Sequence, residues 1–86
     1  MNSVELLEEA VDAARRIGFD VREEWFGGGG GGACTVRGKK ILFLDLNLAP
    51  RDRLLQVLDA LRADPGAADI IMTTALRRLI ATRPAA

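Results

Sequence analysis

The sequence predicts a small α+β domain, in which one helix precedes a three-stranded, mainly antiparallel sheet and two helices follow it (α-β-β-β-α-α). Three observations lead to this class. Apolar residues recur at helical spacing before Gly18 and again after Pro50. Residues 19–48, between them, resemble strands and contain six consecutive glycines and a short turn at Gly38. At 86 residues, the chain is expected to form a single domain over residues 1–86.

The first helix is predicted from its cap, its apolar stripe and its stop signal. Asn2 can cap the first turn, and Glu5, three residues on, completes a capping box. Gly18 follows the last periodic residue, where a left-handed residue commonly ends a helix. The stripe comprises Leu7, Ala10, Val11, Ala14 and Ile17. We expect Val11 to be buried together with Leu44 and Leu58.

The strands flank the glycine run. Residues 19–26 alternate between apolar and charged side chains, which is typical of a strand with one mostly apolar face. After the glycines, residues 33–37 and 39–48 flank Gly38, and this spacing predicts a hairpin. Residues 41–44 are apolar on both faces, which favours a strand covered on both sides.

The length of the hairpin loop decides which residues share a face of the sheet. With two loop residues, Cys34 and Val36 lie on one face together with Ile41 and Phe43. With three loop residues and a bulge this pairing changes, and the sequence leaves both arrangements open.

Two helices are predicted after the sheet. Pro50 suits the first helical position. The buried stripe of this second helix is expected to be Leu54, Val57, Leu58 and Leu61. Asp-Pro-Gly at residues 64–66 stops the helix, and residues 70–72 are expected to be extended. Thr73 or Thr74 then caps a short third helix, whose apolar residues are Leu76, Leu79 and Ile80.

Composition narrows the functional classes. Twelve basic residues balance twelve acidic ones, so no overall field attracts nucleic acid or an anionic membrane. No apolar run approaches the length of a membrane span. The single cysteine, Cys34, excludes an internal disulfide and suits a reducing cytosol. We therefore expect a cytoplasmic protein that binds neither nucleic acid nor membrane.

The absence of histidine from the sequence excludes several chemistries. Cys-His and Ser-His-Asp catalysis and the histidine-containing zinc sites all require that residue. We assign no catalytic residue, no metal ligand and no cofactor from the sequence.

The glycine run is the first candidate ligand site and comprises Gly27, Gly28, Gly29, Gly30, Gly31 and Gly32. A dinucleotide fingerprint requires a helix after the glycines, whereas a strand-like segment follows here. A phosphate-binding loop requires Lys and Ser or Thr next, and Ala33 and Cys34 stand there instead. Two interpretations stay open: a flexible surface connection, or a ligand cradle made of backbone amides.

Asp45 and Trp25 are the other candidate ligand-binding residues. Asp45 is a polar residue in an apolar strand. It either emerges into solvent or caps the next turn, or it is a buried or cleft carboxylate that faces Glu23 or Glu24. Such a carboxylate pair would serve acid/base chemistry or hold a divalent cation. Trp25 is either a stacking platform beside the glycine run or a packing residue.

A candidate interface involves Ile41 and Phe43. The first two helices naturally cover one face of the sheet, which leaves the other to the third helix, Trp25, the glycine run or a second copy of the chain. In a twofold dimer, the acidic N-terminal region of one copy can approach Arg77 and Arg78 of the other.

The run at residues 31–40, Gly-Gly-Ala-Cys-Thr-Val-Arg-Gly-Lys-Lys, resembles a pattern in a small family of uncharacterised bacterial proteins. That pattern is G-G-x-C-x-(V/I)-x-G-K-(K/R), followed by an apolar strand, a Leu-rich helix and a late A-(V/L)-R segment, here at residues 75–77. The resemblance implies no activity. The layout is also similar to the front half of repressor-cleaving HExxH metallopeptidases, but residues 54–58 read Leu-Leu-Gln-Val-Leu and lack both histidines.

These observations predict a non-catalytic binding or protein-interaction module, with itself or another protein as its partner. The alternative is a small-ligand-binding protein or enzyme that uses residues 27–32 with Asp45 and Glu23 or Glu24.

Overall fold

Three helices and a three-stranded sheet form in the predicted order, which confirms the α+β class. The computed structural model describes residues 2–27 and 30–82. The elements are α1 (Ser3–Arg16), β1 (Asp20–Glu24), β2 (Gly32–Val36), β3 (Lys39–Asp45), α2 (Pro50–Ala63), a 3₁₀ turn (Pro65–Asp69) and α3 (Thr74–Ala81).

The sheet is evenly mixed rather than mainly antiparallel, because its spatial order is β1-β3-β2. The hairpin pairs β2 and β3 antiparallel, while β3 lies parallel to β1. The chain leaves β1 at one edge, passes the C-terminal end of β3 and begins β2 at the other edge. Two contacts mark this passage: Leu46 N donates to Glu24 O (2.8 Å), and Phe26 N donates to a carboxylate oxygen of Asp45 (3.2 Å).

The hairpin has the two-residue loop, made by Arg37 and Gly38. Both residues have positive φ, 52° and 80°, as a type I′ turn requires. Cys34 therefore pairs with Ile41 and lies on the same face as Val36 and Phe43. Of the two arrangements that the sequence left open, this is the one without a bulge.

The helices pack on the face of the sheet that carries Leu42 and Leu44. Val11, Leu44 and Leu58 belong to one buried cluster, which confirms the predicted core. Leu76 adds the third helix to that cluster, and α3 packs against α1 and α2. The whole cluster also includes Leu7, Ala10, Ala13, Ala14, Phe19, Leu54, Val57, Ala60, Leu61 and Ala67.

The helix ends are closed by side chains. The Asn2 side chain accepts from Glu5 N (2.9 Å), which confirms the predicted cap, and donates to the Glu5 carboxylate (2.9 Å). The Glu5 carboxylate therefore binds the side-chain amide of Asn2 and not the backbone N–H that a capping box would require. Thr73 caps α3, and the Glu9 carboxylate accepts from the Thr73 amide and hydroxyl. This contact ties the start of α3 to α1.

No helix in the described part of the chain has both the length and the apolar character needed to cross a membrane.

Candidate functional site

The face of the sheet opposite the helices is here called the outer face. The strand register places on it Asp20, Arg22, Glu24, Gly32, Cys34, Val36, Lys39, Ile41, Phe43 and Asp45. Ile41 is buried (7% exposed) but does not belong to the helix-packed cluster. Val36 is 51% exposed and Cys34 is also exposed, so apolar surface reaches solvent here.

Phe26 lies over one end of the outer face. Its ring meets that of Phe43 edge-on, with the two centroids 5.8 Å apart. A side chain at Gly30 would collide with Phe26, because an added Cβ would lie 2.6 Å from its Cβ. The neighbouring Trp25 is 73% exposed. An aromatic pair thus covers part of this face, and a third aromatic residue, Trp25, stands in solvent beside it.

Asp45 is fully buried at the end of β3 (0% exposed). One of its carboxylate oxygens accepts hydrogen bonds from Phe26 N (3.2 Å) and Asn47 N (2.9 Å). Glu24 is its neighbour across β1, whereas Glu23 pairs with Leu44 and lies on the helix-covered side. The carboxylate therefore holds the chain where it leaves β1 and where it leaves β3.

The glycine run joins β1 to β2, and Gly28 and Gly29 lie outside the described residues. Gly31 is the most constrained glycine: its φ is +105°, and an added Cβ would lie 2.4 Å from Gln56 Nε2 and 3.1 Å from Phe43 O. Gln56 Nε2 donates to Gly30 O (3.3 Å), which fixes this segment to α2. Gly27 has a φ of +77° and open space around it.

The two edges of the sheet differ in charge. Four of the five residues of β1 are charged, and Asp20 binds Arg22 (2.9 Å) and Lys39 (3.3 Å). Hydrogen bonds from Arg22 and Lys39 hold the pKa of Asp20 below its ordinary value, so this carboxylate stays ionised at neutral pH. Strand β2, Gly-Ala-Cys-Thr-Val, has no charged residue. Charged edges resist the addition of another strand, and β2 lacks this protection.

The backbone of β2 presents unpaired groups at that edge. In a two-residue hairpin the residues that flank the loop form a hydrogen-bonded pair, and such pairs alternate along the ladder. The N–H and C=O groups of Val36, Cys34 and Gly32 therefore point to β3. The N–H and C=O groups of Ala33 and Thr35 point outward from the free edge of β2. They make no backbone hydrogen bond to another element within residues 2–27 and 30–82.

A groove, here called the edge groove, runs between β2 and α2. It consists of two adjoining cavities of about 210 and 310 Å³ that share Ala33, Ala60 and Ala63 as lining residues. Gly31, Gly32, Gln56 and Asp59 line one end, and Phe19, Thr35, Lys40 and Asp64 line the other. Sequence reasoning missed this groove, because isolated alanines on a helix give no signal until the strand order is known.

The candidate interface residues do not share one surface. Ile41 and Phe43 lie on the outer face, whereas α3, which carries Arg77 and Arg78, packs on the helical layer. Arg77 donates to Ala67 O and Ile70 O, both at 2.7 Å, so it braces the segment before α3. Arg78 is exposed.

Within the described ranges, no three Cys, Asp or Glu residues cluster closely enough to hold a metal ion. A third cavity of about 340 Å³ lies between α1, β1 and α2. Its lining combines charged residues (Glu8, Arg15, Glu23 and Arg53) with apolar ones (Val4, Leu7, Val11 and Pro50).

Comparison with known proteins yielded no matching family, no similar curated protein and no similar solved structure.

Proposed function

We propose that this chain is a non-catalytic protein-interaction module that associates with copies of itself. One observation carries the proposal. Among residues 2–27 and 30–82 the helices cover one face of the sheet, and the other face exposes Val36 and Cys34 beside the uncharged edge of β2. Exposed apolar surface next to an unprotected strand edge is the usual mark of a protein–protein contact.

The arrangement of the polar candidates supports a binding role over a catalytic one. The carboxylate of Asp45 is buried and already accepts two backbone N–H groups. Glu24 is the neighbour of Asp45 across β1 and is exposed, whereas Glu23 lies on the opposite face of the sheet. Trp25 stands in solvent, with 73% of its surface exposed. A general acid or base must lie within hydrogen-bond reach of a substrate, and these side chains do not converge on one cleft.

Charge balance supports a second copy as the partner. The chain has no net charge, so two copies do not repel one another strongly, and a polyanionic partner gains no overall attraction. The free thiol of Cys34 is exposed, and such a residue suits a reducing compartment, which we take to be the cytosol.

Sedimentation equilibrium of the purified chain tests the proposal. We expect a species of twice the 9.3 kDa chain mass at protein concentrations of about 100 μM. A single 9.3 kDa species at that concentration would overturn self-association.

A further inference from the structure

We infer that two copies of this chain join edge to edge, through antiparallel pairing of β2 with β2 of the second copy across a twofold axis. The inference rests on the proposed self-association and specifies its contact. The two sheets would become one continuous sheet of six strands.

The β2 edge favours pairing, whereas the β1 edge opposes it. The outward N–H and C=O groups of Ala33 and Thr35 form the row of donors and acceptors that an added strand requires. Pairing through β1 would instead bring Arg22, Glu23 and Glu24 into a shared edge. The same chain therefore offers one strand edge that accepts a partner and one that resists it.

The edge groove fits a second β2 strand. The groove is lined by residues 31–35 on one side and by Ala60 and Ala63 of α2 on the other, so a strand added at the free edge of β2 would lie beside it. On the helix side the added strand would present Ala33 and Thr35, since these alternate with Cys34 along β2. Small side chains suit a groove lined by Ala60 and Ala63.

Charge complementarity selects the register. Pairing centred on Cys34 sets Ala33 opposite Thr35 of the second copy and Arg37 of the second copy opposite Gly31. Gly31 lines the same end of the edge groove as Asp59, whose side chain is 78% exposed and pairs with Arg62 of its own helix (3.2 Å). The exposed part of this carboxylate can accept a second cation. A long arginine side chain at that position reaches this carboxylate. The twofold axis produces the contact twice.

Arg37 itself supports this register. It has a φ of +52° and is, within the described ranges, the single residue other than glycine with a positive φ. Asn or Gly suits that turn position better, so arginine there carries a conformational cost. Among the ion pairs of residues 2–27 and 30–82, none involves Arg37, which leaves its charge available to a partner.

Sedimentation equilibrium of four variants tests the inference, with circular dichroism to verify folding. Thr35→Pro removes an outward N–H without touching the ladder to β3, so it should give a folded monomer. Phe43→Lys alters the outer face away from the edge and should stay dimeric. Arg37→Glu should weaken the dimer about tenfold, and adding Asp59→Lys to it should restore most of that loss.

The outcomes separate the inference from the proposed function. A monomeric wild type would overturn both. If the dimer persists in Thr35→Pro, or if Phe43→Lys dissociates it, the chain does self-associate but not through β2. Either result would overturn the β2 pairing and leave the proposed function standing. If Thr35→Pro does not fold, the charge pair decides: an Arg37→Glu variant with unchanged association would overturn the register, and rescue by Asp59→Lys would support it.

Discussion

The ammonium group of Lys40 lies 2.7 Å from a carboxylate oxygen of Asp64 and so joins the middle strand of the sheet to the end of α2. Lys40 also donates to Ile17 O and lies 4.8 Å above the centre of the Phe19 ring. Asp64 in turn accepts from Gly66 N (2.8 Å) and caps the 3₁₀ turn. One lysine therefore fixes the ends of α1 and α2 to the sheet, at the end of the edge groove that Lys40 and Asp64 line.

Acid should weaken this link. The hydrogen bond from Lys40 holds the pKa of Asp64 below its ordinary value of 3.8. A carboxyl group with a lowered folded-state pKa adds stability that is present above the ordinary pKa and is lost as the pH falls through the folded one. Asp64→Asn should cost about 1 kcal/mol at neutral pH, and that difference should shrink below about pH 4.

Urea denaturation of the wild type and Asp64→Asn at pH 7 and at about pH 3 checks this. Asp69→Asn is the matched control, because Asp69 is exposed and forms no ion pair with any described residue. A cost for Asp64→Asn that stays the same at both pH values would show that the charge of Asp64 does not stabilise the fold.

The core prediction concerns Leu58. Leu58 is 2% exposed and lies between the sheet and α1, so Leu58→Ala should lower the unfolding free energy by about 2–5 kcal/mol. Leu55→Ala on the same helix is the matched control, since Leu55 is 47% exposed and should cost less than about 1 kcal/mol. Equal denaturation midpoints for the two variants would remove α2 from the core.

Two glycines of the run should differ in their tolerance of alanine. Gly27→Ala should cost about 1 kcal/mol for its left-handed backbone alone, because nothing lies near the added methyl group. Gly31→Ala should cost about 1 kcal/mol more, since its methyl group would also displace Gln56 and press on Phe43 O. Thermal unfolding of both variants measures the difference. A Gly31→Ala variant as stable as Gly27→Ala would mean that the glycine run is not fixed against α2.

The helices and the core could be predicted from the sequence because both depend on local patterns. The stripe of α2 and the caps at Asn2 and Thr73 lie within a few residues of the positions that define them. The parallel pairing of β1 with β3 could not be predicted from the sequence, since it depends on which edge of β3 the chain reaches after the glycines. Asp45 caps the turn after β3 through Asn47 N, which is one of the roles expected of it. Its second hydrogen bond, from Phe26 N, follows from that same crossing and could not be predicted.

The candidate interface could likewise be predicted from the sequence only in part. Ile41 and Phe43 are recognisable because residues 41–44 are apolar on both faces, and the two-residue hairpin places them on the outer face. The sequence does not predict that the edge of β2 is exposed or that an alanine-lined groove lies beside it. Both depend on the position of α2 next to Ala33, which is known only from the structure. No short-range pattern in the sequence marks Ala60 and Ala63 as neighbours of a strand.

Amide hydrogen exchange, followed residue by residue by NMR at about 10 μM and about 1 mM protein, tests the central claim most directly. The Cys34 N–H points to β3 and should be protected at both concentrations. The N–H groups of Ala33 and Thr35 should exchange quickly in the dilute sample and become protected in the concentrated one, as they enter the ladder to the second copy. Fast exchange of Ala33 and Thr35 in a sample that sedimentation shows to be dimeric would contradict the edge-to-edge assembly.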